Sequence, residues 1–281
     1  MSFAAGLTVQ FRTRSWLFTP ATKPDRFANA RKNGADVLIV DLEDAVAPEL
    51  KQDARKNVRT LLDSPEDTRL PPVAVRINTT TSRNGLEDLL MVFDAANAPC
   101  FILLPKIEAP QQVLHVTELL KGASKPALLV PMIESAKGLA AVDAIAQAGA
   151  RIAGLMFGAA DFASDVAAQP DALALQLARC RIAAACAQAG VLAIDAPCFA
   201  LRDPERLKVD LDFATANGFA AKAAIHPSHL EAINAALTPS PVRVEWARRV
   251  IAAGEKGVGI VDGRMVDEAI AREARKVLAA S

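Results

Sequence analysis

The chain of 281 residues is long enough for one large α/β domain, and 52% of its residues are hydrophobic, which supports an extensive core. Its 32 Lys and Arg balance its 32 Asp and Glu, so the charge gives no basis for a nucleic-acid or membrane partner. No apolar run approaches the roughly 20 residues of a membrane span, and residues 1–13 lack a signal sequence. Because the four cysteines also form no CxxC pair, we expect a cytoplasmic protein with reduced thiols.

Apolar runs that read as strands alternate with helical patterns up to about residue 225. The predicted strands are Ser15–Thr19, Val37–Leu42, Val73–Ile77, Phe101–Leu104, the runs 128–134 and 155–161, Val191–Ile194 and Ala220–Ile225. The predicted helices between them are Pro20–Asn33, Pro48–Leu62, Leu86–Ala96, Pro110–Lys121, Ala136–Gly149, Pro170–Ala189 and Leu207–Asn217. Eight such units favour a closed (β/α)8 TIM barrel over an open doubly wound sheet. The absence of a GxGxxG motif after the first strand also argues against a dinucleotide-binding fold.

The chain continues beyond the eighth predicted strand. Its pattern predicts helices over Ser228–Ala236, Val242–Ala253 and Met265–Ala280, with a turn or short hairpin over Lys256–Gly263. We therefore expect a barrel catalytic domain over residues 1–236 and a C-terminal helical arm over residues 237–281. A barrel does not need this arm for its core, so the arm is expected to cover the barrel mouth or a neighbouring subunit.

Two neighbouring predicted strands end in a carboxylate, Glu134 and Asp161. Parallel α/β folds place their chemistry at the carboxyl ends of strands. Two oxygen ligands without a nearby His or Cys suit a hard cation such as Mg²⁺. Alternatively, each acid is a helix N-cap. The equivalent positions of the two acids favour the metal site.

Other polar residues lie near the ends of the second and third predicted strands. Glu43 and Asp44 either cap the following helix or hold metal-bound water. Arg76 either forms an internal salt bridge with Glu43 or Asp44 or binds a carboxylate of the substrate, and both roles are compatible.

Further polar groups follow the fourth and eighth predicted strands. Lys106 and Glu108 can pair with each other or with Glu43, and His226 is more typical of a structural than of a catalytic histidine. The acidic surroundings of Lys106 favour its charged form, which argues against a Schiff-base lysine. An acid pair for Mg²⁺ together with an Arg suits chemistry that develops negative charge on oxygen, such as formation of an enolate.

Seven motifs in chain order together identify a family. They are Arg14–Pro20 (RSWLFTP), Asp41–Val46 (DLEDAV), Val75–Asn78 (VRIN), Leu104–Glu108 (LPKIE), Pro131–Glu134 (PMIE), Phe157–Asp161 (FGAAD) and Ala224–Ser228 (AIHPS). With these motifs the chain resembles the citrate lyase β-subunit and malyl-CoA lyase family, within the HpcH/HpaI aldolases, over about residues 13–279. The resemblance implies a Mg²⁺-dependent TIM barrel, a homotrimer or hexamer, that cleaves a malyl-, citramalyl- or citryl-CoA type thioester. The products would be a 2-oxo acid and an acetyl thioester.

The resemblance also implies roles for individual residues. Glu134 and Asp161 would bind the metal, Glu134 would also contact the substrate, and Arg76 would hold the substrate carboxylate. The residues that orient metal-bound water or support the site would be Glu43, Asp44, Lys106 and Glu108. The residues that contact the CoA thioester would be Phe18, Thr19, Pro20, Lys23, Arg26, Ile225, His226 and Pro227.

A C-terminal carboxylate has a separate role in the CoA lyases, where it acts in acid–base chemistry from a neighbouring subunit. The segment Gly263–Asp267 matches that motif, so Asp267 is the implied catalytic residue. From the residues alone, Asp267 reads as the N-cap of the last helix.

The chain departs from the family pattern at three places. Ala160 replaces an acidic residue before Asp161, Asn29 replaces a common Lys, and residues 165–168 read DVAA where DLG is usual. These changes bear on the acyl group and the cofactor rather than on the metal. The alternatives are a subunit that cleaves a citryl group on an acyl-carrier protein, an acyl-CoA thioesterase and a 2-oxo-acid aldolase. A purely structural protein would not need acids and an Arg at successive strand ends.

Overall fold

The computed structural model describes residues 13–65, 67, 69–254 and 259–281, and within them eight parallel strands form a closed barrel. The barrel strands are β1 (Ser15–Pro20), β2 (Val37–Asp41), β3 (Val73–Arg76), β4 (Phe101–Leu104), β5 (Leu128–Ile133), β6 (Gly154–Phe157), β7 (Leu192–Asp195) and β8 (Ala221–Ala224). Each strand pairs with the next in sequence, and β8 closes the ring against β1. The predicted (β/α)8 barrel is confirmed.

Buried side chains fill both faces of the barrel strands. Trp16, Val37, Ile39 and Phe101 belong to one cluster of core residues from several strands, and the rings of Trp16 and Phe101 lie 4.9 Å apart. Because strand side chains alternate between faces, the intervening residues, such as Leu38, face the helical layer. Burial on both faces explains why these strands read as continuous apolar runs.

Helices follow the strands in the order that the sequence predicts. They are α1 (Asp25–Lys32), α2 (Lys51–Asp63), α3 (Arg83–Asp94), α4 (Pro110–Gly122), α5 (Ala136–Ala140), α6 (Val142–Ala146), α7 (Ala159–Asp165), α8 (Leu173–Ala189), α9 (Pro204–Ala216) and α10 (Leu230–Ala236). A 3₁₀ turn over Pro48–Leu50 precedes α2.

Two of the helix predictions need correction. The single helix expected over Ala136–Gly149 is divided into α5 and α6, because Ala141 takes φ −99° and ψ 5° between them. The helix α7 was not predicted, because residues 155–161 read as one apolar run. In the structure, β6 ends at Phe157 and a helix begins two residues later, so Asp161 lies on a helix rather than at a strand end.

The segment Asn234–Ser281 forms a compact unit of its own, and Met1–Ile233 forms the other. The C-terminal unit contains α11 (Pro241–Gly254), β9 (Gly259–Val261), β10 (Arg264–Val266) and α12 (Glu268–Ala279). Its core includes Ala247, Val250, Val266 and Ala274.

The strands β9 and β10 pair as an antiparallel hairpin, as the Gly-rich segment predicted, although residues 256–258 of that prediction lie outside the described residues. The last helix begins at Glu268 and not at the predicted Met265, because Met265 belongs to β10. None of the helices in the described ranges combines the length and apolar character needed to cross a bilayer.

Candidate active site

A cavity of about 390 Å³ lies at the carboxyl ends of the barrel strands. Residues at or just after β1, β2, β3, β5, β6, β7 and β8 line it. They are Phe18, Pro20, Asp41, Asp44, Ala45, Arg76, Met132, Glu134, Met156, Phe157, Gly158, Ala159, Ala160, Asp161, Pro197, Phe199 and Ile225. The cavity therefore brings the two predicted metal ligands together with Arg76 and Asp44.

Glu134 follows β5 directly and is only 4% exposed. Its Oε2 accepts a hydrogen bond of 2.7 Å from the backbone N–H of Lys106, a residue held at the unusual φ of 54°. The adjacent helix is capped by Ser135, whose hydroxyl accepts from Gly138, so the N-cap alternative for Glu134 is wrong. The side chain of Glu134 is left to face the cavity.

Gly158, the residue after β6, leaves room for Glu134. A Cβ atom at position 158 would lie 2.3 Å from Cγ and 2.5 Å from Oε1 of Glu134, closer than side-chain atoms approach one another. Glycine at this turn is therefore required by the position of the Glu134 carboxylate.

The surroundings of Glu134 disfavour its negative charge. The pKa of this carboxyl is raised from 4.5 to about 7, chiefly by burial and also by the charges of Glu43 and Asp161, although the Lys106 N–H and Arg76 oppose the shift. The cluster of acids is thus incompletely neutralised by the protein, which is the condition that a bound cation would relieve.

Asp161 lies in the first turn of α7, and Gly158 occupies the N-cap position, so the N-cap alternative for Asp161 is also wrong. Its side chain is 44% exposed, and its Oδ2 lies 3.9 Å from Nζ of Lys106. Asp161 lines the same cavity as Glu134 from the neighbouring strand-to-helix connection.

Glu43 and Asp44 do not cap a helix, because Ala47 holds the N-cap position of the following 3₁₀ turn. Glu43 is buried, and its Oε1 accepts from Nζ of Lys106 at 2.6 Å. Its Oε2 lies 3.0 Å from Nη1 of Arg76, but no hydrogen bond with acceptable geometry reaches this oxygen from the described residues. Burial raises the pKa of Glu43, although Arg76 and Lys106 oppose the shift. Asp44 is half exposed, with Oδ2 3.4 Å from Nη1 of Arg76.

The main partner of Arg76 is Asp41, which the sequence reasoning did not identify. Nε and Nη2 of Arg76 donate to the two oxygens of Asp41 at 2.7 and 2.6 Å, a bidentate pair. Asp41 and Arg76 are register partners at the ends of β2 and β3. The sequence could have indicated this pair, because both predicted strands end near these two residues. The salt bridges expected between Arg76 and Glu43 or Asp44 are also present, at 3.0 and 3.4 Å, and the same guanidinium lines the cavity.

Lys51 also supports the site and was missed. Its buried ammonium donates to the backbone carbonyls of Leu42 and Glu43, both at 2.6 Å. Asn78 donates to the same Leu42 carbonyl at 3.0 Å. A lysine at the start of a charged helix carries no sequence signal for burial, because most such lysines are exposed.

Lys106 and Glu108 lie in different environments. Lys106 contacts Glu43, which is one of the pairings predicted for it. Glu108 contacts Ser135 at 3.0 Å and Lys137 at 2.9 Å, and it is absent from the cavity lining. It supports the start of α5 rather than the acid cluster.

A second cavity of about 360 Å³ adjoins the first, because Phe18, Pro20 and Ile225 line both. Of the eight predicted thioester contacts, all but Lys23 line it within the described residues. Asn29 lines it as well. The described lining is Leu17, Phe18, Thr19, Pro20, Arg26, Asn29, Ala30, Asn33, Ile225, His226 and Pro227.

Two of the predicted site residues, His226 and Asp267, form hydrogen bonds that cap the helical turn that follows them. The Nδ1 atom of His226 lies 2.7 Å from the hydroxyl of Ser228 and accepts the Ser228 N–H, so His226 caps a short 3₁₀ turn. Asp267 is the N-cap of α12 and accepts from the Ile270 N–H at 2.8 Å.

The donor set around the first cavity fits a hard divalent cation. Within the described parts of the chain, no three His, Cys, Asp or Glu side chains converge in a manner that would ligate a metal. Glu134 and Asp161, which both line the cavity, would provide two carboxylate ligands, and water or substrate oxygens would take the other positions, as is typical of Mg²⁺.

The chain is similar to named proteins over nearly its whole length. The chain is 35% identical to a (3S)-malyl-CoA thioesterase of Cereibacter sphaeroides, with 95% of this chain and 93% of the relative covered. It is 30% identical to an L-malyl-CoA/β-methylmalyl-CoA lyase of the same species, with 94% and 93% covered.

A solved structure gives the same result at the level of the fold. CitE of Mycobacterium tuberculosis, solved with magnesium, acetoacetate and coenzyme A, superposes with a TM-score of 0.79 at 33% identity, covering 96% of this chain and 98% of that chain. The model of the HpcH/HpaI aldolase/citrate lyase family matches residues 14–227, and the chain belongs to this family.

Proposed function

We propose that the protein is a Mg²⁺-dependent carbon–carbon lyase that cleaves a 3-hydroxyacyl-CoA thioester to a 2-oxo acid and acetyl-CoA. The observation that carries this proposal is the convergence of Glu134, Asp161 and Arg76 on one cavity that adjoins a second cavity of about 360 Å³. Membership of an aldolase and citrate lyase family supports the reaction class, and the activity for which the lyase relative is named supports the thioester substrate.

The residues around the cavity would each have a separate role in the reaction. Glu134 and Asp161 would hold Mg²⁺, and Glu43 and Asp44 would orient its waters. When bound, the ion supplies electrostatic stabilisation of negative charge on substrate oxygens. Arg76, held in place by Asp41, would orient the substrate carboxylate.

The reaction balances without an oxidant or reductant. Asp267 would take the proton of the 3-hydroxyl, and the oxygen electron pair would form the new carbonyl as the C–C bond breaks. The electron pair of that bond passes to the thioester enolate, which then takes a proton at carbon.

Replacing the proposed metal ligands tests the proposal. Glu134→Gln and Asp161→Asn are each expected to lower kcat/KM at least about 100-fold at saturating Mg²⁺ and to weaken Mg²⁺ binding in calorimetry. Glu118→Gln serves as a control, because Glu118 is exposed on α4, where its carboxylate lies 3.8 Å from the ammonium of Lys121. Turnover close to wild type in both ligand variants would refute the assignment.

The role of Asp267 from a neighbouring subunit has its own test. Asp267→Asn keeps a good N-cap for α12, so loss of activity would not come from an unfolded helix. Subunits with Asp267→Asn and subunits with Glu134→Gln are each expected to be inactive, whereas co-assembled subunits regain activity. In a random equimolar oligomer about one quarter of sites would combine an intact metal site with an intact Asp267. Mixed oligomers without activity would contradict catalysis across subunits.

A second candidate function is hydrolysis of the thioester, favoured by the 35% identity to a malyl-CoA thioesterase. The products separate the two reactions. A lyase releases a 2-oxo acid while the thioester bond persists in acetyl-CoA, whereas a thioesterase releases a free CoA thiol.

A further inference from the structure

The three acyl groups that suit the proposed lyase differ at one place. The carbon that bears the hydroxyl carries a hydrogen in malyl-CoA, a methyl in citramalyl-CoA and a carboxymethyl in citryl-CoA. The inference below rests on the proposed function and concerns which of these branches the cavity accepts.

The charge of the site is negative. Asp41, Glu43, Asp44, Glu134 and Asp161 lie around Arg76 and Lys106, and the ammonium of Lys51 also interacts with Asp41, Glu43 and Asp44. Five carboxylates against three basic groups leave an excess of two negative charges, which one Mg²⁺ would balance. A substrate with one free carboxylate then makes the loaded site negative, and a second carboxylate would add to that charge.

The basic groups have little capacity for a second substrate carboxylate. Among the described residues that line the cavity, Arg76 is the sole cation, and three carboxylates already surround it. The ammonium of Lys106 lies 2.6 Å from Glu43. A carboxymethyl branch would therefore bring a charge that loses hydration and gains no ion partner.

The rest of the cavity wall is apolar. Met132, Met156 and Phe157 are buried core residues whose atoms also line the cavity, and Ala160 and Phe199 lie nearer to solvent. Ala160 adds a small apolar side chain beside Asp161. Such a wall favours a methyl group, because its burial removes apolar surface from water.

We propose that the acyl site selects substrates with a single free carboxylate and a hydrogen or methyl branch at the hydroxyl-bearing carbon, and that it discriminates against a carboxymethyl branch. The protein is then a malyl- or citramalyl-type lyase and not a citryl-type one.

Kinetics with the Mg²⁺-loaded full-length protein test this selection. We expect citramalyl-CoA to be cleaved with a kcat/KM equal to or above that of malyl-CoA, and citryl-CoA at least 100-fold less efficiently than malyl-CoA. A citryl-CoA value within tenfold of the malyl-CoA value would overturn the inference.

Calorimetric binding of the same three esters separates this inference from the proposed function. If none of them is cleaved, the proposed function is wrong, and the order of affinities still decides the selectivity. Weakest binding of citryl-CoA supports the inference, and binding of citryl-CoA as tight as that of malyl-CoA overturns it.

A charge placed on the cavity rim gives an independent check. Phe199 is 56% exposed and lines the cavity, so substitution there should not disturb the core. Phe199→Lys is expected to raise the ratio of citryl-CoA to malyl-CoA kcat/KM at least tenfold, whereas Phe199→Met, of similar length without charge, leaves the ratio within threefold of wild type. Equal ratios in the two variants would contradict a charge-based selection.

Discussion

At the scale of single residues, Glu134 is the side chain whose chemistry depends most on its surroundings. Burial together with the charge of Glu43 holds its pKa near 7 instead of 4.5. A carboxyl with this pKa is poorly suited to a metal-free core, and a cation beside it restores the charged form. The unfavourable burial of negative charge on Glu134 therefore favours binding of a cation at this site.

This shift predicts a pH-dependent stability for the metal-free protein. Between pH 4.5 and about 7 the native Glu134 retains a proton that the unfolded chain has released, so the native state is destabilised as pH rises through this window. The contribution is between about 3 and 4 kcal/mol at most, from about 1.4 kcal/mol per pKa unit. Urea unfolding of wild type and Glu134→Gln should show the wild type losing stability relative to the variant between pH 4.5 and about pH 7. Parallel curves would show that Glu134 is not the titrating group.

At the scale of secondary-structure elements, the turn between β6 and α7 and the end of β5 approach each other at one glycine. The missing side chain of Gly158 accommodates the carboxylate of Glu134. Placement of Asp161 on α7 and of Glu134 after β5 thus depends on how two loops pack together, which neither loop encodes alone.

A methyl group at this contact should damage the site more than the fold. Gly158→Ala is expected to displace Glu134 and to lower kcat/KM by about 10- to 100-fold, with weaker Mg²⁺ binding. Gly122→Ala is the matched control, because a Cβ at the end of α4 meets nothing within 4 Å. Steady-state kinetics and magnesium titration of both variants check the prediction, and equal activity in the two would contradict it.

At the scale of the whole barrel, a buried ionic cluster joins β7 and β8 to the helices outside them. Lys222 on β8 is 1% exposed at its side chain and contacts Asp195 at 2.6 Å and Asp210 at 2.7 Å. Arg179 on α8 pairs with the same two acids and stacks on Phe213 at 4.1 Å. These contacts lie next to the pairing of β7 with β8, and β8 in turn pairs with β1 to close the barrel.

Removal of one cation from this cluster should destabilise the barrel strongly. Lys222→Met leaves Asp195, which is fully buried, with one partner fewer, and we expect a loss of about 3–5 kcal/mol in the free energy of unfolding. Lys208→Met on α9 removes only an exposed pair with Asp212 and should leave the free energy of unfolding close to that of the wild type. Urea denaturation measures both, and similar small losses would mean that the cluster is not an essential part of the closed barrel.

Local patterns in the sequence were sufficient for the barrel and for the end of the barrel at which its acids lie. Fully buried parallel strands read as apolar runs, and parallel strands bring their carboxyl ends to one side, so Glu134, Asp161, Arg76 and Glu43 could be expected near one another. The helix α7 escaped prediction because its apolar residues continue the run of β6 without a break.

The sequence by itself determined the architecture and the set of candidate groups, since both follow from periodicity and from strand ends. Only the tertiary structure decided the pairing of Asp41 with Arg76, the burial of Lys51, the separation of Glu108 from the cavity and the need for Gly158. Those features depend on strand register, on the packing of distant loops and on the loss of water around each charge. Strand register, loop packing and the loss of water all result from interactions between residues far apart in the chain, so no local sequence pattern reveals them.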